Sequence, residues 1–157
     1  MRHDPSNCVV EVGYIAFSPL LKQTPASTET QYLLMSYAFD TLCYRRYEWK
    51  CDSLNAPSRK AAQRLGFTFE RIFRQAVVYK GRDRDTAWLS IIDSDRPQVG
   101  GALQEWLSPG NFDADGRQKP SLTAVRAAGP RELTERPGAA GARQLTSRHS
   151  RTSAASF

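Results

Sequence analysis

The run from Glu11 to Thr41, EVGYIAFSPLLKQTPASTETQYLLMSYAFDT, constrains the fold of this chain more than any other stretch. Val9, Val10, Val12, Tyr14, Ile15 and Phe17 form a β-type run that reaches a break at Ser18-Pro19. A polar loop from Lys22 to Ser27 follows, and a helix is predicted to open at Ser27 or Thr28. The first N–H groups of a helix lack internal partners, and the macrodipole places about half a positive charge there. A strand that passes through a tight loop into a helix start is therefore a place to hold a phosphate; an ordinary capped helix after a strand has the same pattern.

The remaining elements follow in order. Cys8 to Phe17 reads as the first complete strand, with Gly13 inside it, and Asp4-Pro5-Ser6-Asn7 before it as the tip of a hairpin whose first strand is mostly absent. Tyr32, Met35, Ala38, Phe39 and Leu42 recur at helical spacing, so one face of a helix from about Thr28 to Thr41 is buried. Tyr47 to Cys51 is a short strand, Ser58 to Leu65 a second helix, and Gly66 its stop. Phe67 to Tyr79 is a long strand, irregular near Arg74-Gln75; Lys80 to Asp83 turns the chain, and Asp85 to Ile92 returns it. Pro97 to Leu107 is expected as a surface helix. The order is α/β, ending in an antiparallel hairpin. Residues 1–95 read as one domain, 96–126 as a C-terminal extension with a short helix, and 127–157 as a disordered tail rich in Arg, Ala and Ser.

Composition bears on what such a chain can do. The net charge of +6 invites a nucleic-acid partner, but Ala127 to Phe157, with five Arg and two Glu, holds +3 of it. The remaining charge is spread among many acidic residues, so nucleic acid is disfavoured and an anionic cofactor suited. No apolar run approaches the ~18 residues of a membrane span. Cys8, Cys43 and Cys51 are an odd set without metal-ligand spacing, which points to reduced thiols and a cytoplasmic location. With only His3 and His149, neither a histidine metal site nor a Ser-His-Asp triad is expected.

Taken together, Glu11-Val12-Gly13-Tyr14-Ile15, the Gln23–Thr28 loop, Lys50-Cys51-Asp52, Asn55-Ala56-Pro57-Ser58-Arg59, Leu65-Gly66-Phe67 and the Arg74–Trp88 hairpin resemble the GNAT acetyltransferases, in the RimJ/RimL-type branch. The resemblance runs from about Met1 to Ser94, and more weakly to about Arg126. It implies a mixed, mostly antiparallel sheet with splayed central strands, here Cys8–Phe17 and Tyr47–Cys51, and flanking helices. It also implies acetyl-CoA in the wedge between those strands, no metal, and direct transfer of acetyl to a primary amine, either a protein N-terminus or a small amine.

The same resemblance distributes roles among residues. The family's pyrophosphate loop, Q/R-x-x-G-x-G/A, falls on Gln23, Thr24, Pro25, Ala26, Ser27 and Thr28, with Ala26 and Thr28 in place of its glycines. Tyr14 and Ile15 offer backbone to the thioester, and Asn55, Ser58 and Arg59 contact the cofactor. Ser58 donates a proton to the departing thiolate; read from residue types alone, Asn55 is a turn residue and Ser58 a helix cap. The base that takes the amine proton is Glu11, ahead of Glu48 and Glu70. Read from residue types alone, Trp49 and Trp88 belong in the core, Arg59 and Arg64 on a solvated helix face, and Cys51 is buried; Arg59, at the start of the second helix, is kept as a cofactor contact.

A full family member carries a strand, two helices and two further strands ahead of the one at Cys8. The expectation is therefore an N-terminally truncated domain with an exposed sheet edge. Three outcomes follow from that: a fragment of an active enzyme, a short form that binds CoA without catalysis, or a sheet completed by pairing with another chain or a second copy. The rival class is a non-catalytic binding module whose basic tail meets an acidic partner.

Overall fold

A computed structural model describes residues 2–129. Its five strands are β1 (His3–Asp4), β2 (Val9–Val12), β3 (Arg46–Asp52), β4 (Thr68–Tyr79) and β5 (Arg82–Ile92). They form one sheet in the order β1-β2-β3-β5-β4, in which only the β2–β3 pair is parallel. The helices are α1 (Pro25–Ser36), α2 (Ala56–Leu65), α3 (Arg96–Leu107) and α4 (Leu122–Ala128), and α1 continues through a π-helical turn over Tyr37–Thr41. The mixed, mostly antiparallel sheet with flanking helices matches the expected fold class.

Period-two alternation gives the sheet two different faces. Across the register, Tyr47 faces Ile91, Trp49 faces Leu89 and Cys51 faces Ala87 on one side. Glu48 faces Ser90 and Lys50 faces Trp88 on the other. All four helices add residues to a single apolar cluster with the first side: Met35 and Ala38 follow from α1, Ala62 and Leu65 from α2, Leu103 and Trp106 from α3, Leu122 and Val125 from α4.

Several boundaries differ from the sequence expectation, each for a local reason. β2 is only Val9–Val12, because the chain turns away at Tyr14, whose φ is +55°. α1 starts earlier than Ser27 or Thr28. Thr24 caps it, accepting from the Ser27 N–H at 3.3 Å, and Pro25 takes the first helical position, where its fixed φ suits helix entry. In the sequence Pro25 passes for a loop residue. Asn55, not Ser58, caps α2, accepting from Ser58 N–H at 3.1 Å. His3 and Asp4 do supply a first hairpin strand, pairing with Val10 and Val9. The β4–β5 turn narrows to Lys80-Gly81, both at positive φ, and β4 is irregular between Phe73 and Val77 as expected, with Gln75 at φ +50°.

α3 is not a surface helix. Val99, Leu103 and Trp106 are buried, and Leu103 is 1% exposed. The extension is thus part of the core, and α4 reaches Ala128. The tail expected from Ala127 onward otherwise lies outside the described residues. Cys51 is buried as expected, and the three thiols are free.

Gly66 couples α2 to α3. Its φ of +109° closes α2, and a Cβ there would stand 2.6 Å from Val99 Cγ1. Gly66→Ala therefore combines backbone strain with overpacking, and should destabilise the fold by about 2–4 kcal/mol in urea or thermal unfolding. A change below about 0.5 kcal/mol would mean that the α2–α3 contact relaxes freely.

Candidate active site

Pairing between β2 and β3 stops at Val12–Trp49, yet β3 continues to Asp52. The two parallel strands thus part company, and the opening leads on the helix side into a cavity of about 890 Å³. Ile15, Phe17, Lys22, Gln23, Pro25, Ser27, Thr28 and Gln31 line it from the segment after β2 and from α1. Trp49 forms part of the wall, with Asn55, Pro57, Ser58, Ala61, Arg64 and Leu65 from α2 and its entry loop. Trp106, Phe112, Gly116, Arg117 and Gln118 close it from the extension. Its volume and mixed lining are those of a small-molecule site.

Of the predicted residues, the cavity brings together Ile15, Gln23, Ser27, Thr28, Asn55 and Ser58. Tyr14 is 96% exposed and does not line it, nor do Thr24, Ala26 and Arg59. Arg59 instead donates to the Ser53 carbonyl at 3.1 Å and lies over the Phe69 ring. Glu11 also lies apart from the cavity. Its register partner is Glu48, so both carboxylates belong to the opposite face of the sheet.

The helix start offers fewer free amides than the sequence suggests. Pro25 has no N–H, and the Ser27 N–H is held by the Thr24 hydroxyl and carbonyl at 3.3 and 3.2 Å. Side chains make up the polar lining instead. Arg64, expected on a solvated face, is half-buried, donates to Thr28 Oγ1 at 3.0 Å, and lies 4.9 Å from the Trp106 ring centroid. Helical spacing carried a signal for it: Ser58, Ala61 and Leu65 share a face of α2, and Arg64 borders it. Trp49 also departs from a purely core role, since it lines the cavity and its Nε1–H donates to Ser58 Oγ at 3.0 Å. That bond engages a hydroxyl lone pair and leaves the Ser58 O–H free to donate.

On the opposite face the charges form a ladder. Lys50 Nζ stands 3.2 Å from Glu11 Oε2 and 3.0 Å from Glu48 Oε2, and 4.0 Å from the Trp88 ring centroid. Arg46 donates to Glu48 at 2.7 Å and forks onto both oxygens of Glu70, each at 2.7 Å. Ser90 also donates to Glu70, at 2.6 Å. Burial opposes ionisation of Glu48, but hydrogen bonds from Arg46 and Lys50 more than offset it, and its pKa falls below the usual carboxylate value. Arg46 lowers that of Glu70, with Ser90 helping against a smaller cost of burial.

Residues 1–68 match the family model of the acetyltransferase (GNAT) domain. Over that span the chain resembles this family. It is similar to a GCN5-related N-acetyltransferase from Brucella melitensis, at 55% identity and TM-score 0.79, over 81% of this chain and 57% of that one. It is also similar to a probable GNAT-family acetyltransferase from Chromobacterium violaceum, at 47% identity and TM-score 0.56, over 58% of this chain and 46% of that one. A third similar structure is the microcin C7 self-immunity acetyltransferase MccE, solved with acetyl-CoA and AMP: 25% identity, TM-score 0.51, over 57% of this chain and 49% of that one. The chain therefore spans about half the length of these solved relatives. No curated protein matches it. Among the described residues, no group of His, Cys, Asp or Glu is arranged to hold a metal ion, and no helix is long and apolar enough to cross a membrane.

The ladder sets an acid limit on the stability of the fold. Glu48 and Glu70 have lowered folded pKa values, so their contribution is complete above the unfolded value of about 4.3 and is lost as pH falls through the folded values. Arg46→Met should cost about 3 kcal/mol at pH 7 by leaving the buried Glu48 carboxylate to Lys50 alone and Glu70 without a cation, and clearly less at pH 3. Urea unfolding at both pH values checks this; an equal loss at both would exclude an ionic origin.

Proposed function

We propose that this protein is an acetyl-CoA-dependent N-acetyltransferase, of the RimJ/RimL kind, that transfers acetyl directly to a primary amine, a protein N-terminus or a small amine. The observation that carries the reading is the opening between β2 and β3, with a cavity on one side and a carboxylate, Glu11, on the other. The cavity suits an elongated anionic donor: apolar Ile15, Phe17, Trp49 and Leu65 alternate with cationic Lys22, Arg64 and Arg117. The solved MccE complex shows that a protein of similar fold takes acetyl-CoA.

Acetyl-CoA supplies the activated acetyl group. In this reading, Ser58 Oγ–H gives its proton to the leaving sulfur, and Trp49 Nε1–H orients that hydroxyl. Glu11 takes the proton from the attacking amine on the ladder face, where Lys50 holds its carboxylate in place. Gln23, Ser27, Thr28 and Asn55 line the donor's path. Backbone around Ile15 adjoins the reacting carbonyl, where fixed amides stabilise developing charge. The same reading keeps the protein in the cytoplasm and leaves open an association through the sheet edge.

Titration calorimetry with acetyl-CoA tests the reading; micromolar, saturable binding is expected, and a folded protein that binds none would overturn it. With an acceptor amine, Ser58→Ala should lower kcat about 10- to 100-fold with little change in KM for acetyl-CoA. Trp49→Phe should lower kcat in the same direction by less. Glu11→Gln should lower kcat and leave acetyl-CoA affinity unchanged.

A further inference from the structure

We propose that Thr28, Gln31 and Arg64 form a side-chain anion subsite on the floor of the cavity, which grips a phosphate of the donor. This rests on the reading of the cavity as the acetyl-CoA site; it joins Thr28 of the loop pattern to Gln31 and Arg64, which that pattern does not assign.

Gln31 makes the first part of the case. It is 4% exposed, it lines the cavity, and neither its Oε1 nor its Nε2 has a hydrogen-bond partner among the described residues. A buried amide left without partners destabilises a fold, so a group that completes it is expected. Thr28 lies one turn earlier on the same face of α1 and is 2% exposed.

Arg64 makes the second. No carboxylate among the described residues pairs with it, although it is half-buried and its cation is penalised by desolvation. The guanidinium's one described hydrogen bond goes to a neutral hydroxyl, Thr28 Oγ1, and its plane is steadied by Trp106. A guanidinium held in this way keeps donors for a second, charged acceptor, and phosphate oxygens fit its fork. The amide donor of Gln31 adds to the same wall.

The third part is the helix start. Pro25 and the capped Ser27 offer no free amide, and Ala26 does not line the cavity. A phosphate brought to α1 therefore meets side-chain donors where a glycine loop would present backbone.

Binding measured on the full chain decides the matter. Arg64→Gln should weaken acetyl-CoA binding about tenfold or more and flatten its salt dependence. Gln31→Met should raise the melting temperature, by removing the orphan amide, while weakening acetyl-CoA binding. A purely structural Gln31 would not produce that split. Inorganic pyrophosphate should stabilise the wild type against heat and not the Arg64→Gln variant. The 3′-dephospho form of the donor separates two sources. If Arg64→Gln still weakens its binding, Arg64 holds the diphosphate; if the variant no longer matters, Arg64 holds the 3′-phosphate. Unchanged acetyl-CoA affinity in folded Arg64→Gln and Gln31→Met would overturn the subsite and leave the acetyltransferase reading standing. A wild type that ignores acetyl-CoA but answers pyrophosphate through Arg64 would do the reverse.

Discussion

The parallel pairing of β2 with β3, and its end at Val12–Trp49, is the constraint on which the rest of the site depends. Parallel strands need a crossover, and here α1 provides it on the apolar side of the sheet. Because the crossover starts just beyond the point of separation, Lys22, Gln23 and the start of α1 border the opening. β3 continues without β2, and Trp49 stands at the point of divergence with its indole N–H turned to Ser58. A Tyr at φ +55° immediately after β2 is an unfavourable conformation, worth about 1–3 kcal/mol. It is held where the chain must leave its partner, so the opening is built into the backbone and does not depend on loop mobility.

The two faces of β3 do different work because of alternation alone. Tyr47 and Cys51 build the core, while Arg46, Glu48 and Lys50 build a ladder with Glu11, Glu70 and Ser90. Such a ladder adds little if its members are exchanged together for apolar groups, yet each member is costly to remove alone. It fixes the rotamers of long side chains around Glu11 at the cost of sensitivity to acid. The proposed base thus has a defined position without belonging to the cavity.

Much of the fold was legible, because it rests on local signals. The 3.6-residue pattern of Tyr32, Met35 and Phe39, the Gly66 stop and the irregular β4 near Gln75 all recur in the structure. Boundaries failed where one residue type has two meanings: Pro25 can break a chain or begin a helix, and Asn55 can turn a chain or cap one. Of the candidate site residues, Gln23, Ser27, Thr28, Asn55 and Ser58, close together in sequence, line one cavity. The Tyr14 and Arg59 side chains lie outside the cavity lining, since side-chain direction depends on a local φ and on a nearby carbonyl.

What no local pattern could supply is the wall that comes from the extension. Trp106, Phe112, Arg117 and Gln118 reach the cavity only because α3 and α4 pack on the helix layer, through contacts such as Leu103 and Leu122 in the common core. The Trp106 Nε1–H donates to Gln118 at 3.0 Å, and the Phe112–Gln118 bridge ties the two ends of that loop. Arg64 then depends on Trp106 for its orientation, although the two lie on different helices and far apart in sequence. The extension consequently stabilises the domain and shapes the cavity through the same residues, so a substitution at Trp106 would act on both.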